Sequence, residues 1–226
     1  MNTNRQWLLA KRPHGMVGEE NFEYVETPIP EPGEGEVLVR NLYFSFDPTQ
    51  RGWMEDRESY LPPVQLGEPM RAGTIGQVIT SNNADFAAGD MVQTTGGWQD
   101  FVVVAPDQAV MGLTKIPDGV PPEMMMSVLG VTGLTAYFGL LDLGDPKPGE
   151  TVLVSGAAGA TGSVAGQIAR IKGCRVVGIA GGPEKCAWLK NEAGFDEVID
   201  YKNEDVDARI AATCPNKVDV FFDNVG

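Results

Sequence analysis

One turn constrains this chain more than any other feature. An apolar run, Thr151–Ser155 (TVLVS), leads directly into Ser155-Gly-Ala-Ala-Gly-Ala-Thr-Gly162, and a helical stretch follows over Ala158–Lys172, with Val164, Ile168 and Ile171 at helical spacing. Glycines fall at 156, 159 and 162, and Thr161 is the largest residue between them. Each glycine has a physical reason in a strand-to-helix turn. The first permits the tight turn, the second lets backbone approach a pyrophosphate, and the third lets helix and strand pack closely. The helix that opens there directs unpaired N–H groups and a partial positive charge at the phosphates. Gly156, Gly159, Ala160, Thr161 and Gly162 are therefore candidate cofactor-binding residues. The alternative is a merely packed glycine turn, and the strand–turn–helix context argues against it.

The elements that follow keep the same grammar. Arg175–Ile179 reads as a strand, Glu184–Asn191 as a helix, Glu197–Asp200 as a strand, Glu204–Thr213 as a helix and Val218–Asp223 as a fourth strand. Alternation of this kind predicts parallel βαβ units in a doubly wound sheet. Residues 1–120 differ: short apolar runs at 36–40, 76–80, 91–94 and 100–104 are separated by Pro30-Glu-Pro-Gly33, Asn82-Asn83 and Gly96-Gly97, which predicts a small β-rich barrel or sandwich. Residues 121–129 read as a helix whose methionines pack inside, Gly130 and Gly133 as interruptions, and 134–143 as a resumed helix. Asp145-Pro-Lys-Pro-Gly149 is a breaker and a candidate boundary. The two domains are taken as 1–128 and 129–226.

The cofactor choice is written about 20 residues past the first glycine. An NAD site carries Asp or Glu there for the ribose hydroxyls; this chain has Ala180-Gly181-Gly182, followed by Lys185. A lysine is a point charge suited to a 2′-phosphate, which points to NADP(H). A solvated surface lysine is the competing reading, and Glu184 is an unfavourable neighbour. The formal net charge of -14 argues against nucleic acid and anionic membrane surfaces as partners. The single histidine, His14, sits in a loop, and Cys174, Cys186 and Cys214 have no metal-like spacing, so no metal site is expected. An odd cysteine count without a secretory leader or long apolar segment suggests a reduced, cytoplasmic protein.

Taken with Phe46-Asp-Pro-Thr-Gln-Arg51, Gly133-Leu-Thr-Ala-Tyr-Phe-Gly-Leu140 and Phe222-Asp-Asn-Val-Gly226, these motifs resemble the zinc-independent medium-chain dehydrogenases/reductases, the group of prostaglandin reductases, alkenal double-bond reductases and curcumin reductase. The resemblance extends along essentially the whole chain. It implies an α/β architecture, with a GroES-like β-rich barrel domain followed by a partial Rossmann doubly wound parallel sheet. It also implies NADPH, and reduction of the carbon–carbon double bond of α,β-unsaturated ketones or aldehydes. Residue by residue, it implies Gly181 and Tyr201 on the adenosine side, Thr132 and Thr135 toward the nicotinamide carboxamide, and Asn224 at the carboxyl edge of the sheet. Asp47 and Arg51 would hold a loop. Tyr60 is the one catalytic candidate, as a donor to the substrate carbonyl, with an ordinary loop tyrosine as the alternative.

Thr49-Gln50 departs from the family's Tyr-Met, so pocket shape would differ. The resemblance further implies a homodimer for the full-length form. Four strands rather than six suggest a chain truncated at its C-terminus, which by itself could be inactive. A quinone or other carbonyl reductase on the same scaffold, and a non-catalytic nucleotide-binding fragment, remain as alternatives.

Overall fold

The computed structural model describes residues 3–107, 109 and 112–226. They form two compact units, Met1–Met125 and Met126–Gly226.

The first unit is β-rich. Strands β1 (Thr3–Leu9) and β2 (Phe22–Pro28) pair antiparallel as a hairpin. Strands β3 (Val37–Phe44), β4 (Thr74–Ser81), β5 (Met91–Thr94), β6 (Phe101–Val104) and β7 (Thr114–Lys115) form an antiparallel sheet in the order β6-β3-β4-β5-β7. Side chains alternate across a strand, so Val37 and Val39 of β3 meet Val78, Val92 and Val104 in one apolar core. Leu9, Trp53, Met54, Val64 and Met70 build a second. Helix α1 (Thr49–Trp53) carries Trp53 into that core, and α2 (Pro122–Met125) closes the unit.

The second unit is a parallel sheet with helices on both faces. It contains α3 (Val131–Phe138), β8 (Thr151–Val154), α4 (Ala160–Ile171), β9 (Arg175–Ala180), α5 (Pro183–Asn191), β10 (Glu197–Asp200), α6 (Val206–Thr213) and β11 (Val220–Phe222). Among the described residues the strand order is β10-β9-β8-β11, all parallel. In chain order that is 3-2-1-4, the first four strands of the doubly wound dinucleotide arrangement, with its reversal between β8 and β11. Successive residues serve opposite faces. Val152, Val154 and Val176 face one core with Ala169 and Leu189; Leu153, Val177 and Ile199 face the other with Ile210 of α6.

Small residues let α4 lie close to the sheet. Gly162, Ala165, Gly166 and Ala169 are its buried positions. The ring of Phe195 fills the narrow gap: a Cβ on Gly166 would stand 2.0 Å from its Cζ, and one on Gly178 2.8 Å from its Cδ1.

Several local expectations need correction. Helix over 121–129 is confined to Pro122–Met125, and no residue in it is buried. Met124 is 45% exposed; a four-residue helix is a single turn with no face long enough to bury. Gly133 does not interrupt the next helix but lies inside it, because a Cβ there would meet the Val128 carbonyl oxygen at 2.0 Å. The stretch after it widens into a π-helical segment, Gly139–Gly144, rather than a resumed α-helix. The hairpin β1–β2 was not legible from periodicity, since its strands are largely half-exposed on both faces.

Candidate functional site

In a parallel sheet every strand ends at the same edge. Four segments therefore converge at the carboxyl edge of the second unit: the glycine turn after β8, Gly181-Gly182 after β9, Tyr201 after β10 and Asp223-Asn224 after β11.

The glycine turn is held by short main-chain bonds. Gly159 N–H donates to the Gly156 carbonyl at 2.8 Å, and Ala157 N–H to Ile179 at 3.0 Å. Gly156 has φ +52°, a left-handed conformation that favours glycine. Gly159 is the N-cap of α4 and supplies no capping side chain. The first N–H groups of α4, on Ala160, Thr161 and Gly162, have no intrahelical acceptor, and Gly159 and Ala160 are exposed to solvent. The result is an uncapped helix N-terminus at the mouth of a concave backbone, which suits a phosphate.

A side-chain network from β11 fixes the far wall. Ser155 Oγ donates to the Asp223 carboxylate and accepts from Asn224 N–H at 2.7 Å. Asn224 Nδ2 donates back to the Ser155 carbonyl at 2.9 Å. These bonds bring Asn224 against the turn, where a Cβ on Gly156 would touch its Cβ at 3.4 Å. The Ser155 hydroxyl, followed by the Val225 N–H, holds the Asp223 carboxyl below the usual range.

The adenosine-side candidates also meet. Tyr201 lies over Gly181, where a Cβ would stand 2.6 Å from the ring. Gly182, with φ +97°, caps α5, and Pro183 occupies its first turn. Lys185 is exposed in that turn, and among the described residues no hydrogen bond or ion pair engages it.

The structure adds a carboxylate that sequence reasoning passed over. Asp200, paired across the sheet with Ala180, stands beside the Gly181-Gly182 turn. It accepts from Gly182 N–H at 2.8 Å, Lys202 N–H at 3.1 Å and Asn203 Nδ2 at 2.7 Å. The Gly182 N–H, first, and the Asn203 amide hold its carboxyl low. This acid is therefore spent on main chain and amide donors. An Asp closing a strand ahead of Tyr-Lys-Asn203 is an Asx-turn signal, which a local reading could have found. The Ser155–Asp223 contact has no such signal, because it joins strands 68 residues apart.

The remaining candidates belong to other elements. Thr132 and Thr135 sit on α3, which packs against α4. Thr132 Oγ1 donates to the Ser127 carbonyl at 3.1 Å, and Thr135 is exposed. Tyr60 belongs to the first unit; it is 70% exposed, and its hydroxyl accepts from Trp53 Nε1 at 3.1 Å. Arg51 does not pair with Asp47. It bonds Glu55 at 2.9 Å and the carbonyls of Pro13 and Gly15, strapping that loop to α1. His14 is exposed.

Comparison with known proteins fits this arrangement. The family described as the N-terminal domain of oxidoreductase matches residues 5–116, and the zinc-binding dehydrogenase family matches 160–226. Among the described residues no group of three or more His, Cys, Asp or Glu side chains could hold a metal ion. The chain is 46% identical over 223 residues to the NADPH-dependent curcumin reductase of Escherichia coli, covering 99% of this chain and 64% of that one. It is 38% identical over 231 residues to the NADP(+)-dependent 2-alkenal reductase of Nicotiana tabacum, covering 99% and 66%. The crystal structure of CurA in complex with NADPH from Vibrio vulnificus superposes with a TM-score of 0.91 at 45% identity, covering 98% of this chain and 65% of that one. The chain thus spans about two thirds of the length of the relatives it matches.

Proposed function

Because the chain belongs to the medium-chain dehydrogenase/reductase family, in the group of the curcumin and alkenal reductases, we propose that the whole protein is an NADPH-dependent reductase of carbon–carbon double bonds conjugated to a ketone or aldehyde. One observation carries the reading. A glycine turn opens onto an uncapped helix N-terminus, and past the neighbouring strand end stands Lys185, unpaired among the described residues, while Asp200, the carboxylate beside the Gly181-Gly182 turn, is already engaged. The names of the two relatives, and the NADPH held by the Vibrio structure, support it.

The residues fit the cofactor. Gly156, Gly159, Ala160, Thr161 and Gly162 form a turn too tight for further side chains: a Cβ on Gly162 would stand 2.5 Å from the Gly156 carbonyl oxygen. The α4 N–H groups would take the pyrophosphate. Lys185 would meet the 2′-phosphate, with Gly181 and Tyr201 beside the adenosine. Thr132 and Thr135 would orient the carboxamide, and Asn224 would line the inner end of the groove.

When bound, NADPH supplies the hydride for the β-carbon of the substrate. The chain's own share is position and electrostatics. Oxygen charge that develops on the substrate carbonyl needs a donor. Tyr60 accepts a hydrogen bond from the Trp53 indole N–H, so its own hydroxyl hydrogen remains available for that purpose. Residues 1–128 act as the catalytic domain in this reading and 129–226 as the cofactor domain, in a cytoplasmic homodimer. Among the described residues no helix is long and apolar enough to cross a membrane.

The test is NADPH oxidation at 340 nm with 3-nonen-2-one, with product identified by gas chromatography. The reading expects 2-nonanone, the saturated ketone. Formation of the allylic alcohol, or equal rates with NADH, overturns it.

A further inference from the structure

The first unit contains a cavity of about 800 Å³. It is walled by six aromatic side chains: Trp7, Phe22, Tyr24, Phe44, Phe46 and Trp98. Its volume lies in the range of small-molecule sites, roughly 300–1,000 Å³. From this cavity we infer a binding site for a flat aromatic compound that carries a neutral oxygen acceptor and no negative charge; the inference does not rest on the cofactor assignment.

Three observations select that ligand. The first is unsatisfied aromatic surface. Phe46 is 76% exposed, and Trp7, Tyr24 and Phe44 are each more than 40% exposed, although they line one concavity. Clustered apolar exposure of this kind marks an interaction site. The second is ring geometry. Phe22 and Phe46 each meet Trp98 at a tilt, with centroids 5.1 and 5.5 Å away, and Trp7 meets Tyr24 edge-on at 5.3 Å. No pair is closed into a parallel stack, so ring faces remain open for the offset stacking that aromatic groups favour.

The third observation is charge. Arg5 is the cavity's cation, and Asp100 grips it twice, at 2.6 and 2.9 Å. Glu19 at the rim adds a carboxylate. An anion would meet a cation already paired and a repelling acid, so the guest carries no negative charge. The guanidinium has five N–H donors, and Asp100 occupies two of them. A phenol or carbonyl oxygen on the guest can take another. Gln99 is already tied down, its Oε1 accepting from Asn4 and Gln6 and its Nε2 donating to the Gly96 carbonyl.

The experiment is a titration of the protein, labelled at the tryptophan indoles with ¹⁵N, with 4-hydroxyacetophenone. Trp7 and Trp98 lie at the cavity, while Trp53 and Trp188 serve as internal controls. The inference expects saturable shifts of the Trp7 and Trp98 signals alone. Cyclohexyl methyl ketone, with the same carbonyl but no flat ring, and the anion 4-acetylbenzoate should each bind several-fold more weakly. Phe46→Ala, at a site exposed enough to leave the fold intact, should weaken binding by roughly three- to tenfold, the worth of one aromatic pair. Equal affinity for the three ligands, shifts centred on Trp53 or Trp188, or no saturable shift at all would overturn it.

Discussion

Replacing Gly162 with alanine tests the link between loop geometry and cofactor binding most directly. A Cβ at this position would stand 2.5 Å from the Gly156 carbonyl oxygen and 3.0 Å from Ala157 Cα. The first distance is about 0.9 Å short of the 3.4 Å at which ordinary contact begins, and both neighbours are backbone atoms. A rotamer change cannot relieve the clash, so the turn must move by most of that distance. Overpacking of this kind costs about 1–3 kcal/mol of stability. The α4 N–H groups move with the turn, and one charge-assisted hydrogen bond lost from the pyrophosphate lowers NADPH affinity about tenfold to a hundredfold.

Gly159→Ala is the internal comparison, since its Cβ would lie 3.1 Å from the same oxygen and a shift of a few tenths of an ångström relieves it. Its loss in stability should be smaller, while its Cβ would enter the space that the backbone leaves open for the pyrophosphate and lower affinity as well. Gly166→Ala is the second comparison. It drives a Cβ into the Phe195 ring, so it should lower Tm while leaving the Kd of the folded protein near wild type. Kd by fluorescence titration and Tm by calorimetry give the two readouts. Wild-type affinity in Gly162→Ala, or a larger fall in Tm in Gly159→Ala, would refute the geometric argument.

Other outcomes follow from single groups. Lys185→Ala should weaken NADPH severalfold at 0.15 M salt, with NADH changed less than about twofold and the difference shrinking at 1 M salt, where the screening length falls to about 3 Å; equal losses for both cofactors would remove Lys185 from the site. Tyr60→Phe should lower kcat for enone reduction with little change in NADPH Kd, since it removes only the hydroxyl; an unchanged kcat would reduce Tyr60 to a loop residue. Asp100 is held below the ordinary carboxylate range, first by its bond from Arg5. A carboxyl depressed in the folded state gives stability that is present above the ordinary carboxylate pKa and lost as pH falls through the folded value. Wild-type Tm should therefore fall more steeply than that of Asp100→Asn as pH is lowered from 5 toward 3; parallel acid limbs would contradict the pairing.

Legibility from sequence tracked how local the governing physics is. The alternation of β8 through β11 with α4, α5 and α6 was readable because each element carries its own period and the glycine turn lies between two of them. Gly156, Gly159 and Gly162 could be named for the same reason. Reading failed where the deciding contact was distant. Gly133 looked like a helix breaker until the Val128 carbonyl beside it explained why no Cβ fits. The hairpin of β1 and β2 has little alternation to read, because its strands are half-exposed on both sides. The methionines of α2 looked like core and are not, since burial belongs to the surroundings of a helix rather than to its composition.

By itself, the sequence determined that this protein would turn a strand into a helix through glycines, at a place with no carboxylate directly following the next strand and a lysine close behind. Those are properties of consecutive residues, set by backbone sterics and side-chain charge. Only the tertiary structure decided that Asp200 would approach that turn and be engaged by main-chain and amide donors, that Ser155 would reach Asp223 and Asn224 across the sheet, and that six aromatic rings from separate segments would share one cavity. The physical reason is the same in each case. Strand order and register choose which distant residues become neighbours, and that choice is made by burial of the whole core rather than by any one segment.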